Sequence, residues 1–164
     1  MKMIDYLKPK VKEIGFFSGL DEDLCEKLVE VGNLVTKKRG EYLVIQGKRH
    51  SGMSLIISGE VSVKISANGE NIKVAKLESG DVVGEMSIID PKKASATARI
   101  VSEEAQLWEI SADDFNEFLL ADLNEGFEIL KELAKMLCKR LRTYNERMLH
   151  SMYDERNHYL EQDY

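Results

Sequence analysis

Short apolar runs separated by glycines fill the middle of the chain and constrain its fold more than any other feature. Each run is too short for a stable helix and is bounded by a residue that permits a turn. Asn68-Gly69, between two alternating runs, is the strongest hairpin signal. The runs are Leu34-Val35, Tyr42–Ile45, Ser54–Ile57, Val61–Ile65, Ile72–Val74, Val82-Val83, Ala96–Ile100 and Ala105–Ile110. So many short strands predict a β-sandwich, jelly roll or barrel.

Helical periodicity is confined to the two ends of the chain. Residues 3–13 are compatible with a short helix. Asp21 is a capping residue for a second helix that ends near Gly32 or Asn33. After the strands, Ser111 with Asp114 three residues later is typical of another helix start.

A heptad repeat of apolar residues follows in a longer helix. The repeat alternates spacings of four and three, as in a coiled-coil seam. Its members are Leu130, Ala134, Leu137, Leu141, Tyr144 and Met148. Such a stripe either packs on its own domain or, in its distal half, pairs with a second copy, so we expect a homodimer through this helix.

These patterns predict a mainly β fold with flanking helices (α+β), a double-stranded β-helix or jelly-roll β-roll. We divide the chain into an N-terminal helical segment, 1–33, and the β-roll, 34–110. The C-terminal helices, 111–150, include the lid or dimer helix, and 151–164 is a polar tail.

Charge and composition restrict the partners. The chain has 23 Lys+Arg against 29 Asp+Glu, a net charge of −6, which is the wrong sign for a chain devoted to nucleic acid. No apolar run is long enough to span a membrane. Cys25 and Cys138 match no metal or redox spacing, so we expect free thiols and a cytoplasmic protein.

Enzyme chemistry is not indicated. His50, His150 and His158 are isolated, have no ligand spacing, and are expected at the surface. A metal-dependent enzyme of the cupin type is the alternative raised by the jelly roll, but its site chemistry is missing. We expect no catalytic residues, metal or cofactor.

One stretch, 80–97, combines a strand, a glycine and a short helical turn that Asp90-Pro91 stops. The free amides at a helix start attract an anion. The stretch resembles the phosphate-binding segment of the cyclic nucleotide-binding domains, which include catabolite activators and kinase regulatory subunits. The resemblance extends beyond this stretch to nearly the whole chain. The matching motifs are Phe17-Ser18-Gly19-Leu20, Gly40-Glu41-Tyr42-Leu43, Gln46-Gly47, Leu55–Val61, Gly80–Ser87, Leu107–Ser111 and Asp114-Phe115.

The resemblance implies a ligand pocket in this stretch. It implies that Gly84 lets the backbone approach the ligand and that Glu85 accepts a hydrogen bond from a ribose hydroxyl. The amides around Met86 and Ser87 would face the cyclic phosphate. Cyclic AMP or cyclic GMP is the ligand that the family suggests.

The loop that follows departs from the family. Its phosphate-binding arginine falls at Ala94, after Lys93 at the family's proline, while Ser95 still offers a hydroxyl, and Ala96 and Thr97 complete the implied pocket. Losing one partner of a buried charge pair costs about 3–5 kcal/mol, roughly two to four orders of magnitude in affinity. Binding is therefore expected to be weak or absent.

The long helix also contributes by resemblance. Its Arg140-Leu141 step brings Tyr144 and Asn145 to the base-facing positions, where Tyr144 is either a stacking residue or simply a seam residue. We expect a non-enzymatic regulatory or sensor module for signal transduction. A nucleotide-independent scaffold that uses the long helix to bind a protein partner is the alternative. About a dozen polar residues follow this helix, which are too few for a helix-turn-helix, so this chain alone is not expected to bind DNA.

Overall fold

The computed structural model describes the backbone of residues 10–160 and the side chains of residues 10–153. Most of the helix predicted at 3–13 lies outside the described residues, and residues 10–12 are helical. A 3₁₀ helix, Gly15–Gly19, follows, and then four helices flank or interrupt the strands. They are α1 (Glu22–Val31), α2 (Glu85–Ile89), α3 (Ala112–Ala121) and α4 (Leu123–Leu160).

The eight strands within the described residues coincide with the eight apolar runs. They are β1 (Asn33–Lys38), β2 (Tyr42–Val44), β3 (Gly52–Ser58), β4 (Val61–Ala67), β5 (Glu70–Leu77), β6 (Val82–Val83), β7 (Thr97–Ile100) and β8 (Glu104–Ser111). One sheet has the order β1-β8-β3-β6 and the other β2-β7-β4-β5, with antiparallel neighbours throughout. The predicted β-roll with flanking helices is confirmed.

The predicted hairpin turn and two predicted helix caps are confirmed. Asn68 and Gly69 both have positive φ, 52° and 83°, as a two-residue type I′ hairpin requires, and they connect β4 to β5. Asp21 accepts from the amide of Leu24 at 2.9 Å, and Ser111 accepts from the amide of Asp114 at 3.0 Å. Each cap satisfies an amide that the helix leaves free.

The first sheet is buried on both faces. On one side, Leu55 and Trp108 pack with Phe17, Leu28 and other residues of the helices. On the other side, residues of both sheets form a second apolar cluster inside the roll, the roll cluster: Val44, Ile56, Val61, Ala75, Leu77, Val83, Ala98, Ile100, Ala105 and Leu107. The continuous apolar run of β3 reflects this double burial.

The long helix packs on the roll through a different stripe from the predicted seam. Ile129 and Leu133 are fully buried and Met136 is half-buried against the helical core. Leu130 and Leu141, members of the seam, are exposed. The seam is therefore one residue out of phase with the face that packs. Among the described residues, no helix combines the length and apolarity needed to cross a membrane.

Trp108 connects α1 to the first sheet. Its Nε1 donates to the carbonyl of Val29 at 3.1 Å, and Phe17 packs edge-on at 4.9 Å between ring centroids. A Cβ added to Gly32 would lie 2.3 Å from the indole ring. Gly32 has a φ of −87°, so the constraint there is contact with the indole and not backbone strain.

We expect Gly32→Ala to lower the free energy of unfolding by about 1–3 kcal/mol, the usual cost of overpacking. Urea unfolding monitored by circular dichroism measures it. In a Trp108→Phe background the smaller ring should accommodate the methyl group, so the same change should cost less. Equal costs in both backgrounds would contradict the contact as the cause.

Candidate functional site

Gly84 forms the turn between β6 and α2 within the predicted ligand-binding stretch. It follows β6 and has a φ of 89°, a left-handed conformation that favours glycine. A Cβ there would lie 2.5 Å from the carbonyl oxygen of Gly52 and 2.6 Å from Nε2 of His50. Conformation and space both require glycine, and the turn places Glu85 at the start of α2.

Glu85 is held by the long helix. It is only 4% exposed, and its Oε1 accepts from Nη1 of Arg140 at 2.7 Å. Nη2 of Arg140 donates to the carbonyl oxygen of Val82 at 2.9 Å. One guanidinium therefore connects α4 to both the end of β6 and the start of α2.

Burial raises the pKa of Glu85, and the positive charge of Arg140 opposes that shift. The amide of Glu85 also lowers this pKa, whereas the carboxylate of Asp81 raises it. The ionisation of Glu85 thus depends on Arg140 staying in place.

The next two residues of α2, Met86 and Ser87, differ in their exposure to solvent. Met86 is 60% exposed, whereas Ser87 is buried. The amide of Ser87 donates to the carbonyl of Gly84 at 3.0 Å. One of the amides predicted to face a phosphate is thus already used within the turn.

The loop before β7 pairs with the turn after β2. The amide of Ala94 donates to the carbonyl of Lys48 at 2.9 Å, and its carbonyl accepts from the amide of Gly47 at 2.8 Å. An isolated bridge between Arg49 and Lys93 extends this pairing. The side chain of Ala94 is half-buried and packs against the roll cluster. A longer side chain at residue 94 would consequently be directed into the roll.

The other loop residues predicted for the pocket do not share the packing of Ala94 against the roll cluster. Lys93 and Ser95 are exposed, and Ala96 is half-buried. The hydroxyl of Thr97 accepts from the amide of Gln46 at 3.0 Å. Of the five loop residues predicted for the pocket, Ala94 is the one whose side chain packs into the roll.

Tyr144 lies in a separate cleft. The cleft has a volume of about 480 Å³ and lies between α4 and the segment from β5 to the turn before β6. Arg140 and Tyr144 line it, with Leu77 and Gly80 opposite, but none of residues 84–97 does. Asn145 is exposed and is not among the lining residues. The predicted site residues thus form two groups, and the contact of Arg140 with Glu85 connects them.

His50 differs from its predicted surface position. Its side chain is half-buried, and Nε2 is buried without a hydrogen-bond partner among the described residues. Burial lowers its pKa, against the carbonyl of Gly52 and the charge of Glu109, which raise it. The turn from Gly47 to Gly52 brings the ring beneath Gly84. Nothing in the sequence around a lone histidine indicated this contact.

The sequence predicted roles for Tyr144 and Asn145 but none for Arg140 itself, and yet Arg140 contacts Glu85. It belongs to the stripe Ile129, Leu133, Met136 and Arg140, which has the spacing of one buried helix face. An arginine at such a position requires a buried partner. This signal can be recognised only once the stripe of Ile129 and Leu133 is known to face the roll. No group of three or more His, Cys, Asp or Glu that could hold a metal ion occurs among the described residues.

The fold is that of a cyclic nucleotide-binding domain. The family model "Cyclic nucleotide-binding domain" matches residues 34–122, more than half of the chain. The chain belongs to the cyclic nucleotide-binding domain family.

Relatives and solved structures agree with this family. A Pycsar effector protein of Xanthomonas perforans, XpPycTIR, is 32% identical over 124 residues, which are 76% of this chain and 38% of the relative. A cyclic nucleotide-binding domain from Methylobacillus flagellatus has a TM-score of 0.79 at 25% identity, covering 92% of this chain and 84% of that one. The Thermus thermophilus catabolite activator protein shares the fold, with a TM-score of 0.71 at 23% identity over 85% of this chain and 64% of that one. The chain spans 38–39% of the length of the first curated relatives that it matches.

Replacing Arg140 by methionine should destabilise the protein in a pH-dependent way. Because burial raises the pKa of Glu85, the folded state favours the protonated carboxyl more than the unfolded chain does. The free energy of unfolding therefore falls as the pH rises through the range in which Glu85 loses its proton. Without Arg140, its positive charge no longer opposes the raised pKa of Glu85. We expect a loss of about 1–3 kcal/mol at pH 8 and a smaller loss at pH 5, measured by urea unfolding.

Arg142→Met is the matched control, since Arg142 is exposed on the same helix. It should change stability little at either pH. Losses for Arg140→Met that are the same at pH 5 and pH 8 would show that the carboxylate of Glu85 is not the group that Arg140 stabilises.

Proposed function

We propose that this chain is a non-enzymatic regulatory module whose pocket in the roll binds a cyclic nucleotide weakly or not at all. The observation that carries this proposal is the distribution of positive charge. Residue 94, which points into the roll, is alanine, and the guanidinium beside the pocket, that of Arg140, already serves Glu85 and the carbonyl of Val82. A phosphate entering the roll would have no arginine of the loop to neutralise it.

The names of relatives support a regulatory role. The relative from Xanthomonas perforans is named an effector protein, and one from Mycobacterium tuberculosis is named a cAMP-activated transcriptional regulator. We assign no catalytic step to the described residues, and cyclic AMP and cyclic GMP are the ligands to test first.

In the proposed module, ligand binding is transmitted by a change in the position of the long helix, α4. A ribose hydroxyl donating to Glu85 would compete with Nη1 of Arg140, because both use the same carboxylate. A ligand that takes Glu85 therefore favours a different position of α4, and it shifts that equilibrium only as far as its affinities for the two positions differ. Tyr144 moves with Arg140, since both lie on α4.

Calorimetric titration with cyclic AMP and cyclic GMP tests this proposal. We expect no heat or a millimolar dissociation constant for the natural protein, and a dissociation constant lower by two to four orders of magnitude for Ala94→Arg, because the new guanidinium enters the roll. Ser95→Arg adds the same charge at an exposed position and should not bind more tightly. Micromolar binding by the natural protein would contradict the weak-binding proposal, and failure of Ala94→Arg to bind would contradict the pocket.

We further propose that the seam on α4 pairs two copies of the chain. Leu141 and Met148, 60% and 58% exposed, belong to it, and the stripe that packs on the roll is a different one. Leu123 and Phe127, which are also exposed, continue the same heptad spacing toward the N-terminus of α4. The alternative, a nucleotide-independent scaffold, would use the same surface for a different protein.

Analytical ultracentrifugation of Leu141→Glu tests the seam. We expect the natural protein to sediment as a dimer and the variant as a monomer, because two facing carboxylates cannot be buried together. Leu149→Glu is the matched control: Leu149 is 53% exposed but lies beside the seam, so this variant should remain dimeric. A monomeric natural protein would contradict the homodimer, and a monomer that also binds no nucleotide would leave the scaffold.

A further inference from the structure

The outer face of the second sheet holds a groove that shares only Thr97 with the residues that the sequence predicted for the pocket. In this sheet Val61, Ala98 and Ile100 point into the roll cluster, so the residues that alternate with them face outward. The groove has a volume of about 730 Å³, within the range of small-molecule sites. Ser62 lies near its floor and is 6% exposed.

Strand register brings cations and hydroxyls together along this groove. Tyr42 lies opposite Arg99, Arg99 opposite Ser62, and Thr97 opposite Lys64. The lining combines three cations, Arg39, Lys64 and Arg99, with hydroxyl and amide side chains and the ring of Tyr42, and includes no carboxylate. In a chain of net charge −6, this face has the opposite sign to the whole.

The guanidinium of Arg99 is held in position. Its Nε donates to the carbonyl of Gly40 at 2.9 Å, and its central carbon lies 5.3 Å from the centroid of the Tyr42 ring. These contacts fix the plane of the guanidinium and occupy only one of its nitrogens, which leaves the two terminal nitrogens for a bidentate acceptor. Less side-chain freedom is lost when an anion binds to a group held in this way.

The other two cations of the groove have no described carboxylate within ion-pair distance. Within residues 10–153, neither Arg39 nor Lys64 forms an ion pair. Lys64 lies directly opposite Lys73 on β5, and like charges in facing positions of a sheet destabilise it. A bound anion would remove that repulsion. The arrangement thus favours an anionic ligand on this face.

We propose that this groove is a second binding site, which takes a small ligand carrying a phosphate group. Arg99 and Lys64 hold the phosphate, Ser62 and Thr97 donate hydroxyl hydrogen bonds to it, and the exposed Tyr42 offers an apolar surface beside it. The site lies on the outer face of the roll, and it does not depend on Glu85, Ala94 or Arg140. Its occupancy is independent of the pocket inside the roll.

Pyrophosphate is the probe for this site. We expect its titration, followed by ¹H–¹⁵N correlation NMR at low salt, to shift the amides of β2, β4 and β7. The double variant Lys64→Gln/Arg99→Gln should bind about tenfold more weakly or worse. Lys48→Gln/Arg142→Gln removes the same charge from exposed positions outside the groove and should bind pyrophosphate like the natural protein. Thermal unfolding of both double variants confirms that they are folded.

Three results would overturn the proposal. They are no shift with pyrophosphate, equal weakening in both double variants, and an equal response to citrate, which would show that the groove selects charge and not phosphate. Ala94→Arg should leave this response unchanged. Failure of this site is therefore distinguishable from failure of the pocket in the roll.

Discussion

Arg140 joins the long helix to the roll through two hydrogen bonds, one to the carboxylate of Glu85 and one to the carbonyl of Val82. A carboxylate is costly to bury unless it is paired, and Glu85 is almost fully buried. The position of α4 and the ionisation of Glu85 therefore depend on each other. A displacement of the helix leaves a charge in the interior, and neutralisation of Glu85 weakens the attachment of the helix.

The two sheets have different roles because they are covered differently. The first sheet has apolar clusters on both faces, and its strand β3 leaves almost no position for polar side chains. The second sheet has one face in the roll cluster and one in solvent, so its alternate positions are free to carry charge. The second sheet therefore accommodates charged side chains such as Arg99 and Lys64 without cost to the core.

The strands and caps were predictable because their causes are local. A glycine that must adopt positive φ, a capping carboxylate and an alternating run each act within a few residues. The contacts that define the site are not local. Arg140 and Glu85 are 55 residues apart, and their contact requires that the stripe of Ile129 and Leu133, and not that of Leu130 and Leu137, faces the roll. Both stripes are apolar and differ by one residue, so the sequence did not choose between them. The burial of His50 beneath Gly84 is another contact between distant residues, and composition and spacing carry no trace of it.

Two features have related consequences in the proposed module: residue 94 is alanine where the family resemblance implies an arginine, and Arg140 pairs with Glu85. With an arginine on the loop, the charge of the pocket would belong to the roll, and a phosphate would bind wherever the helix lay. In this chain the loop contributes an apolar methyl group at residue 94, and the guanidinium that contacts Glu85 belongs to α4. Any anion that gains from Arg140 must therefore gain from the position of the helix as well. A charge on α4 attracts a bound anion in one position of the helix and not in the other, whereas a charge on the loop attracts it in both. In the proposed module, a charge on α4 therefore couples ligand binding to the position of the helix more directly than a charge on the loop would. In the proposed module, the alanine at residue 94 thus leaves on α4 the charge that a bound anion would use.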